Sequence, residues 1–229
     1  MISFDIKRSQ RKNLAIYVHR DQRVEVRAPR HVSKRQIDKF VKDSAAWIQR
    51  ELQRLSEGPL LLRLEYGQGA YHKFLGNTIS LHLRQASRNS AELRKGRLHL
   101  SLTHPAHTHA VNKALLNWYR QQAAVLFQAR LKHWHGRLLA CEFKLPLVRN
   151  LRIRKMKRSW GSCSRSAEIV LNLWLITQPV KYIDYVIVHE LCHLLEFNHS
   201  KEFYQLMDRA MAGWKERRTA LEASGYPPY

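Results

Sequence analysis

Cysteine is scarce in this chain, which contains only Cys141, Cys163 and Cys192. An odd count without a Cys-x-x-Cys pair argues against a disulfide framework and a four-cysteine zinc site, and it fits a reducing compartment. The chain also lacks any apolar run of about 18 residues, so we expect no membrane-spanning helix. The first eight residues include an acid and polar side chains where a secretory signal requires an apolar run. We therefore expect a cytoplasmic protein.

Acidic residues are few as well. The chain has 18 Asp and Glu against 40 Lys and Arg, which leaves a net charge of +22. Such a field favours contact with polyanions, including nucleic acid, nucleotides and acidic protein surfaces. The basic residues are spread along the chain, so their charge has the simpler interpretation of keeping a soluble protein dispersed. No feature of the sequence indicates an oligomeric state.

Strand and helix patterns alternate in the first part of the chain. Residues 2–28 alternate in the manner of β-strands, and we expect two strands there. Ser33 can cap a helix whose apolar stripe continues to Leu55, and the Gly-Pro pair at 58–59 ends it. Residues 60–102 alternate again, as strands of a second β-rich stretch.

The pattern becomes helical after Pro105. We predict helices at 108–139, 180–197 and 200–222, and strand-like runs at 147–156 and 168–176. With 229 residues and 45% hydrophobic content, the chain can hold one large domain or two small ones. We predict an α+β fold, with a β-rich region containing one helix over 1–104 and a helical region containing one hairpin over 105–229.

The helix predicted at 180–197 carries a His-Glu-x-x-His motif formed by His189, Glu190 and His193. Two histidines four positions apart lie on one face of a helix, with Cβ atoms roughly 5–6 Å apart. That spacing lets both imidazoles reach one zinc ion. Glu190 is turned about 100° from its neighbouring histidine, so it can contact a metal-bound water and act as the general base.

A zinc site with three protein ligands requires one more side chain, and His199 is the candidate. The chain must leave the helix to bring His199 back toward the metal, and Asn198 tolerates the left-handed conformation that such an exit uses. Metzincins have a glycine where this chain has Glu196, so the metzincin pattern does not apply. The sequence predicts a Zn²⁺ site made by His189, His193 and His199.

These motifs resemble those of the YgjP-like metallopeptidases, and more distantly those of SprT-like and WLM zinc proteases. The matching pieces appear in one order over about residues 110–225, while the β-rich first part agrees in layout. They are Trp160-Gly-Ser-Cys163, Ile169-Val-Leu-Asn172-Leu, Ile183-Asp-Tyr-Val with the metal motif, and Asn198-His-Ser-x-x-Phe203. The resemblance implies a minimal zincin core, in which the edge strand of a small sheet runs above the active-site helix.

The resemblance also suggests roles for residues outside the metal motif. Trp160 would anchor the hairpin, while Gly161 and Ser162 would allow close backbone approach to the metal or substrate. An edge strand there would hold an extended peptide by strand addition. The alternative is a tight hairpin around a buried tryptophan. Asp184 and Glu202 are candidate hydrogen-bond partners for the ligand imidazoles.

Three functions fit these features. The first is a zinc metallopeptidase acting on a peptide or protein. The second is a metal-dependent nucleotide phosphohydrolase or pyrophosphatase, in which basic residues around Trp160 would bind phosphates; these are Arg152, Arg154, Lys155, Lys157, Arg158 and Arg165. The third is a nucleic-acid-binding module with structural zinc, although structural zinc usually has four protein ligands.

Overall fold

The computed structural model describes residues 2–11, 13–18, 23–57 and 65–225. Strands and helices both contribute substantially, which confirms the predicted α+β class. The chain divides into two compact units, residues 1–61 and 62–229. The sequence pattern instead suggested a boundary between 104 and 105, at the change from strands to helices.

The first unit combines a three-stranded sheet with two helices. The strands are β1 (Asp5–Ser9), β2 (Ala15–Val18) and β3 (Val24–Pro29), and the helices are α1 (Lys34–Asp43) and α2 (Ala45–Glu57). β3 is central, parallel to β1 and antiparallel to β2. The described residues of this stretch thus contain three strands, where the alternation over 2–28 predicted two. Val26, Ile37 and Ile48 are fully buried in the core of this unit.

Ser33 caps α1 as its sequence predicts. Its side chain accepts a hydrogen bond from the Gln36 backbone N–H, and the Gln36 side chain accepts one from the Ser33 N–H. One helix was predicted up to Leu55, but the structure has two. Ser44 ends α1 by leaving the helical conformation, and α2 begins at Ala45. The stop predicted at residues 58–59 lies outside the described residues.

The second unit begins with a four-stranded sheet. Its strands are β4 (Tyr71–Phe74), β5 (Asn77–Gln85), β6 (Ser90–Arg94) and β7 (Arg97–Leu102), in the order β4-β5-β7-β6. β5 and β7 are parallel, and the outer strands are antiparallel to their neighbours. The long helix α3 (Thr108–Ala140) contacts β6 and β7, and both contribute to one large core. This shared core explains why the sheet belongs with the following helices rather than with the first unit.

A second, three-stranded sheet precedes the metal motif. It contains β8 (Asn150–Arg154), β9 (Gly161–Cys163) and β10 (Glu168–Asn172), and a 3₁₀ helix (Leu173–Thr177) follows. β10 is central, antiparallel to β9 and parallel to β8. The hairpin therefore joins β9 to β10. Residues Gly161–Cys163 of the Trp-Gly-Ser-Cys segment form an edge strand paired with β10.

Three helices complete the second unit: α4 (Val180–Cys192), α5 (Lys201–Ala210) and α6 (Trp214–Ala223). α4 ends earlier than predicted, because Leu194 and Leu195 donate to carbonyls three residues back and tighten the chain. Asn198 does not adopt the left-handed conformation. The last predicted helix is divided in two, and left-handed Gly213 (φ 69°) precedes α6. No helix in the described ranges is long and apolar enough to cross a membrane.

The turn between β4 and β5 is joined to the segment that leads into α4. Backbone N–H groups of Leu75 and Gly76 donate to Ile176 and Thr177. Gly76 has φ +83°, and a Cβ at this position would lie 2.7 Å from the Pro179 ring. Both conditions require glycine, because an L-residue there is strained and a methyl group would overlap Pro179.

We expect Gly76→Ala to lower the free energy of unfolding by about 2 kcal/mol or more, from backbone strain and the overlap with Pro179. Gly67→Ala is the matched control, since a Cβ there meets nothing within 4 Å. Urea unfolding followed by tryptophan fluorescence measures both. Equal stability of the two variants would contradict a special role for Gly76.

Candidate metal centre

Three imidazoles converge on one point of the second unit. The Nε2 atom of His189 lies 3.1 Å from Nε2 of His193 and 3.1 Å from Nε2 of His199. One nitrogen from each ring lies within 4.8 Å of the others. Nitrogens bound to one tetrahedral zinc ion at 2.0–2.1 Å are roughly 3.3 Å apart. The spacing therefore suits a single metal ion.

Different elements bring these rings together. His189 lies in the last turn of α4, and His193 is its C-cap residue. His199 follows the turn after α4 and directly precedes Ser200, the N-cap of α5. Phe203, the third residue of α5, is fully buried, and its ring centroid lies 4.5–5.0 Å from all three imidazole centroids. Phe203 packs against the three imidazoles and restricts how each ring can turn.

The orientation of His193 is set by the chain itself. Its Nδ1 atom lies 3.0 Å from the carbonyl oxygen of Glu196, so Nδ1–H donates and Nε2 keeps its lone pair. This partner was not anticipated. Asp184, a predicted partner, instead accepts both hydrogen bonds of Arg130 at 2.6 Å. Glu202, the second predicted partner, is exposed at the start of α5, where hydrogen bonds from its own backbone N–H and from the Ser200 side chain lower its carboxyl pKa.

Burial favours the neutral forms of His189 and His193. Burial, and after it the neighbouring His193 and His199, lower the pKa of His189 to about 3. Burial is also the main cause that lowers the pKa of His193. Neutral imidazoles with lone pairs directed at one point form a donor set for a cation. The chemistry of the three rings thus fits a divalent metal ion.

Glu190 is almost completely buried beside these rings. It is 4% exposed, and its Oε2 atom has no hydrogen-bond partner among the described residues. Burial raises its carboxyl pKa to about 8. Burying a carboxylate without a hydrogen-bond partner lowers the stability of the fold. The burial of Glu190 therefore indicates a chemical role rather than a structural one.

The edge strand β9 lies directly against Glu190. A Cβ atom at Gly161 would come within 2.4 Å of Glu190 Oε1. A side chain at this position would force the Glu190 carboxylate to move, so the close approach depends on glycine. Trp160, Gly161 and Ser162, the predicted substrate residues, all line the cleft that contains the three histidines.

The cleft has a volume of about 400 Å³. Besides β9 and the histidines, its walls include Tyr185 of α4 and three residues of α6, namely Arg218, Leu221 and Glu222. The Arg218 guanidinium donates to Glu222 at 2.8 Å. Sequence reasoning missed the α6 residues, because no motif marks them and only the packing of α6 beside α4 brings them to the cleft.

Asn172 holds the segment that leads into β9. It is fully buried; its side-chain amide donates to the carbonyls of Met156 and Ser159 at 2.9 Å, and its oxygen accepts from Trp174 N–H. The Asn172 backbone N–H also donates to Trp160. The asparagine of the Ile-Val-Leu-Asn motif therefore positions the wall of the cleft rather than contacting the metal residues.

At least three of the six basic residues predicted to bind phosphate contact other side chains. Arg152 pairs with Glu168 at 3.1 Å, Lys155 lies over the Trp174 ring, and Arg165 lies over Phe197. Of the six, Arg158 alone lines the cleft in the part of the chain that the structure describes.

Comparisons with known proteins identify the family of this chain. A family model described as YgjP-like, metallopeptidase domain, matches residues 12–224. The chain is similar to the crystal structure of the metallopeptidase zymogen of Pyrococcus abyssi abylysin, with 23% identity and a TM-score of 0.38, over 44% of this chain and 96% of that chain. No curated protein matches the chain. The chain therefore belongs to the YgjP-like metallopeptidase family and is a metal-dependent hydrolase.

Proposed function

We propose that this protein is a zinc metallopeptidase with Glu190 as its general base. The observation that carries the proposal is the convergence of three imidazoles beside a buried carboxylate, which the edge strand β9 contacts. His189, His193 and His199 would hold the ion, since three protein nitrogens leave a fourth position for water. A bound zinc ion would supply Lewis-acid activation of that water and of the scissile carbonyl.

Glu190 is suited to accept a proton from the attacking water. Its carboxylate lies in a region of low dielectric, with one oxygen free of protein partners. A base in this setting is more readily protonated than an exposed glutamate, so it can take the proton and later deliver it to the leaving amine. The same carboxyl group performs both transfers.

β9 offers a binding edge for an extended peptide. It has β10 on one side and is the last strand of its sheet, so backbone groups on its other side are available for strand addition. Trp160, Gly161 and Ser162 would lie beside the peptide. This edge favours a peptide over a nucleotide as substrate.

The two competing functions have less support. A nucleotide hydrolase would require cations for phosphate, and the cleft offers Arg158 with Arg218, the latter paired with Glu222. A structural zinc site would be closed by a fourth protein ligand. The three-histidine cluster instead faces a cleft, with Glu190 next to it.

The first test is Glu190→Gln. We expect zinc content to stay unchanged while peptide hydrolysis falls by about 10²–10⁴-fold, because the proton acceptor is lost and the metal donors remain. Zinc-loaded protein is offered casein and an extended-peptide library, and zinc is measured by mass spectrometry. A nucleotide panel is run in parallel. Release of phosphate or pyrophosphate that the substitution abolishes would replace the peptidase proposal by the nucleotide one.

The second test concerns the third ligand. His199→Ala is expected to weaken zinc binding by at least about tenfold, since one of three donors is removed. His199 is exposed, so the fold should persist. His104→Ala, at another exposed histidine, is the matched control and should leave zinc affinity unchanged. Equal zinc affinity in both variants would mean that His199 is not a ligand.

The third test uses the contact between β9 and Glu190. Gly161→Ala should displace the carboxylate and lower kcat by about 10²-fold while zinc remains bound. Gly136→Ala is the control, because a Cβ there meets nothing within 4 Å. Full activity of the Gly161→Ala variant would show that the position of Glu190 is not critical.

A further inference from the structure

The four-stranded sheet has a second face that the proposed catalytic site does not use. Alternate residues such as Leu81, Leu98 and Leu100 are fully buried in the large core. The residues between them point the other way, as strand geometry requires. We call that side the open sheet face; its rings and principal cations are Tyr71, His82, Arg84, Arg94, Arg97 and His99.

Aromatic rings occupy the middle of the open sheet face. His82 and His99 are directly opposite each other on β5 and β7, and their ring centroids are 5.2 Å apart. Tyr71, on the edge strand β4, is 63% exposed. It pairs with Ser80, which is two residues before His82. The three rings therefore lie in adjacent rows of the sheet, where flat surfaces can stack.

Cations lie on either side of the histidine pair. Arg94 and Arg97 are opposite each other in the row before it, and Arg84 is in the row after it. Arg84 and Arg97 form no ion pair within the described ranges, while Arg94 binds Glu92, which pairs across from His99. The described strands carry no other acid on this face. Its charge is therefore positive at both ends.

The combination of rings and cations on the open sheet face indicates which class of partner this face can bind. Single-stranded nucleic acid is bound by aromatic side chains that stack on bases and by cations that contact the backbone. A duplex keeps its bases stacked on one another and would use only the cations. A membrane would require exposed aliphatic or amphipathic surface, and the solvent side of these strands has no aliphatic side chain.

We propose that the open sheet face binds single-stranded nucleic acid, with bases stacked on Tyr71, His82 and His99 and phosphates held by Arg84 and Arg97. This binding is independent of the metal site, so it stands whether or not the protein is a peptidase. It gives part of the +22 net charge a defined location.

Fluorescence anisotropy on the full chain tests the proposal, with labelled 12-nucleotide single strands of DNA and RNA at several salt concentrations. His82→Ala/His99→Ala should weaken binding about tenfold or more, because base stacking is lost. His82→Phe/His99→Phe should restore binding, since rings without charge still stack. Circular dichroism verifies that each variant is folded.

Arg84→Gln/Arg97→Gln should reduce the slope of log K against log salt by about 1.4, since each single-strand phosphate contact contributes about 0.7. Lys132→Gln/Lys144→Gln removes two exposed charges outside the open sheet face and should leave the slope unchanged. A weaker affinity for the matching duplex supports the proposal. An equal reduction of the slope in the lysine control would overturn the proposal in favour of non-specific charge attraction. Binding of polyglutamate that depends on the same residues would overturn it in favour of an acidic protein partner.

Discussion

The burial of α4 is the constraint on which the site depends. Ile183, Ile187, Val188 and Leu191 are completely buried, and they fix the helix within the core of the second unit. A helix held in this way carries its other residues into the core as well. Glu190 and His193 are therefore mostly removed from water, and the pKa values of His189 and Glu190 are shifted by that burial.

Buried polar groups require partners, and neighbouring elements of the second unit supply several of them. Asp184 on α4 receives a bidentate contact from Arg130 on α3. Asn172 satisfies the carbonyls of the segment before β9. The Glu196 carbonyl orients His193. In the described part of the second unit, five buried side-chain atoms have no hydrogen-bond partner: His72 Nδ1, Trp134 Nε1, Trp174 Nε1, His189 Nδ1 and Glu190 Oε2. The last two belong to residues that line the same cleft.

The edge strand β9 lies directly against α4 because Gly161 has no side chain. Gly161 brings the β9 backbone onto the Glu190 carboxyl group, and the pairing of β9 with β10 holds it there. A substrate added to the free edge of β9 would thus lie next to the proposed base. The arrangement relates substrate binding and proton transfer through backbone geometry.

The sequence alone determined the elements whose signals are local. The spacing of His189 and His193, the cap at Ser33 and the long stripe of α3 all depend on periodicity or on neighbouring residues, and each lies where it was predicted. The three-histidine cluster was also expected from spacing, although the reason offered through Asn198 was wrong. The chain leaves α4 by a tightened turn after Cys192 instead.

Only the tertiary structure decided which distant segments share the cleft. Residues Gly161–Cys163 form a strand because they pair with β10. Residues of α6 reach the cleft because α6 packs beside α4. The domain division likewise follows the shared core of α3 and the four-stranded sheet, which local alternation cannot reveal. Pairing and packing depend on long-range contacts, whereas periodicity reports only the face that each segment buries.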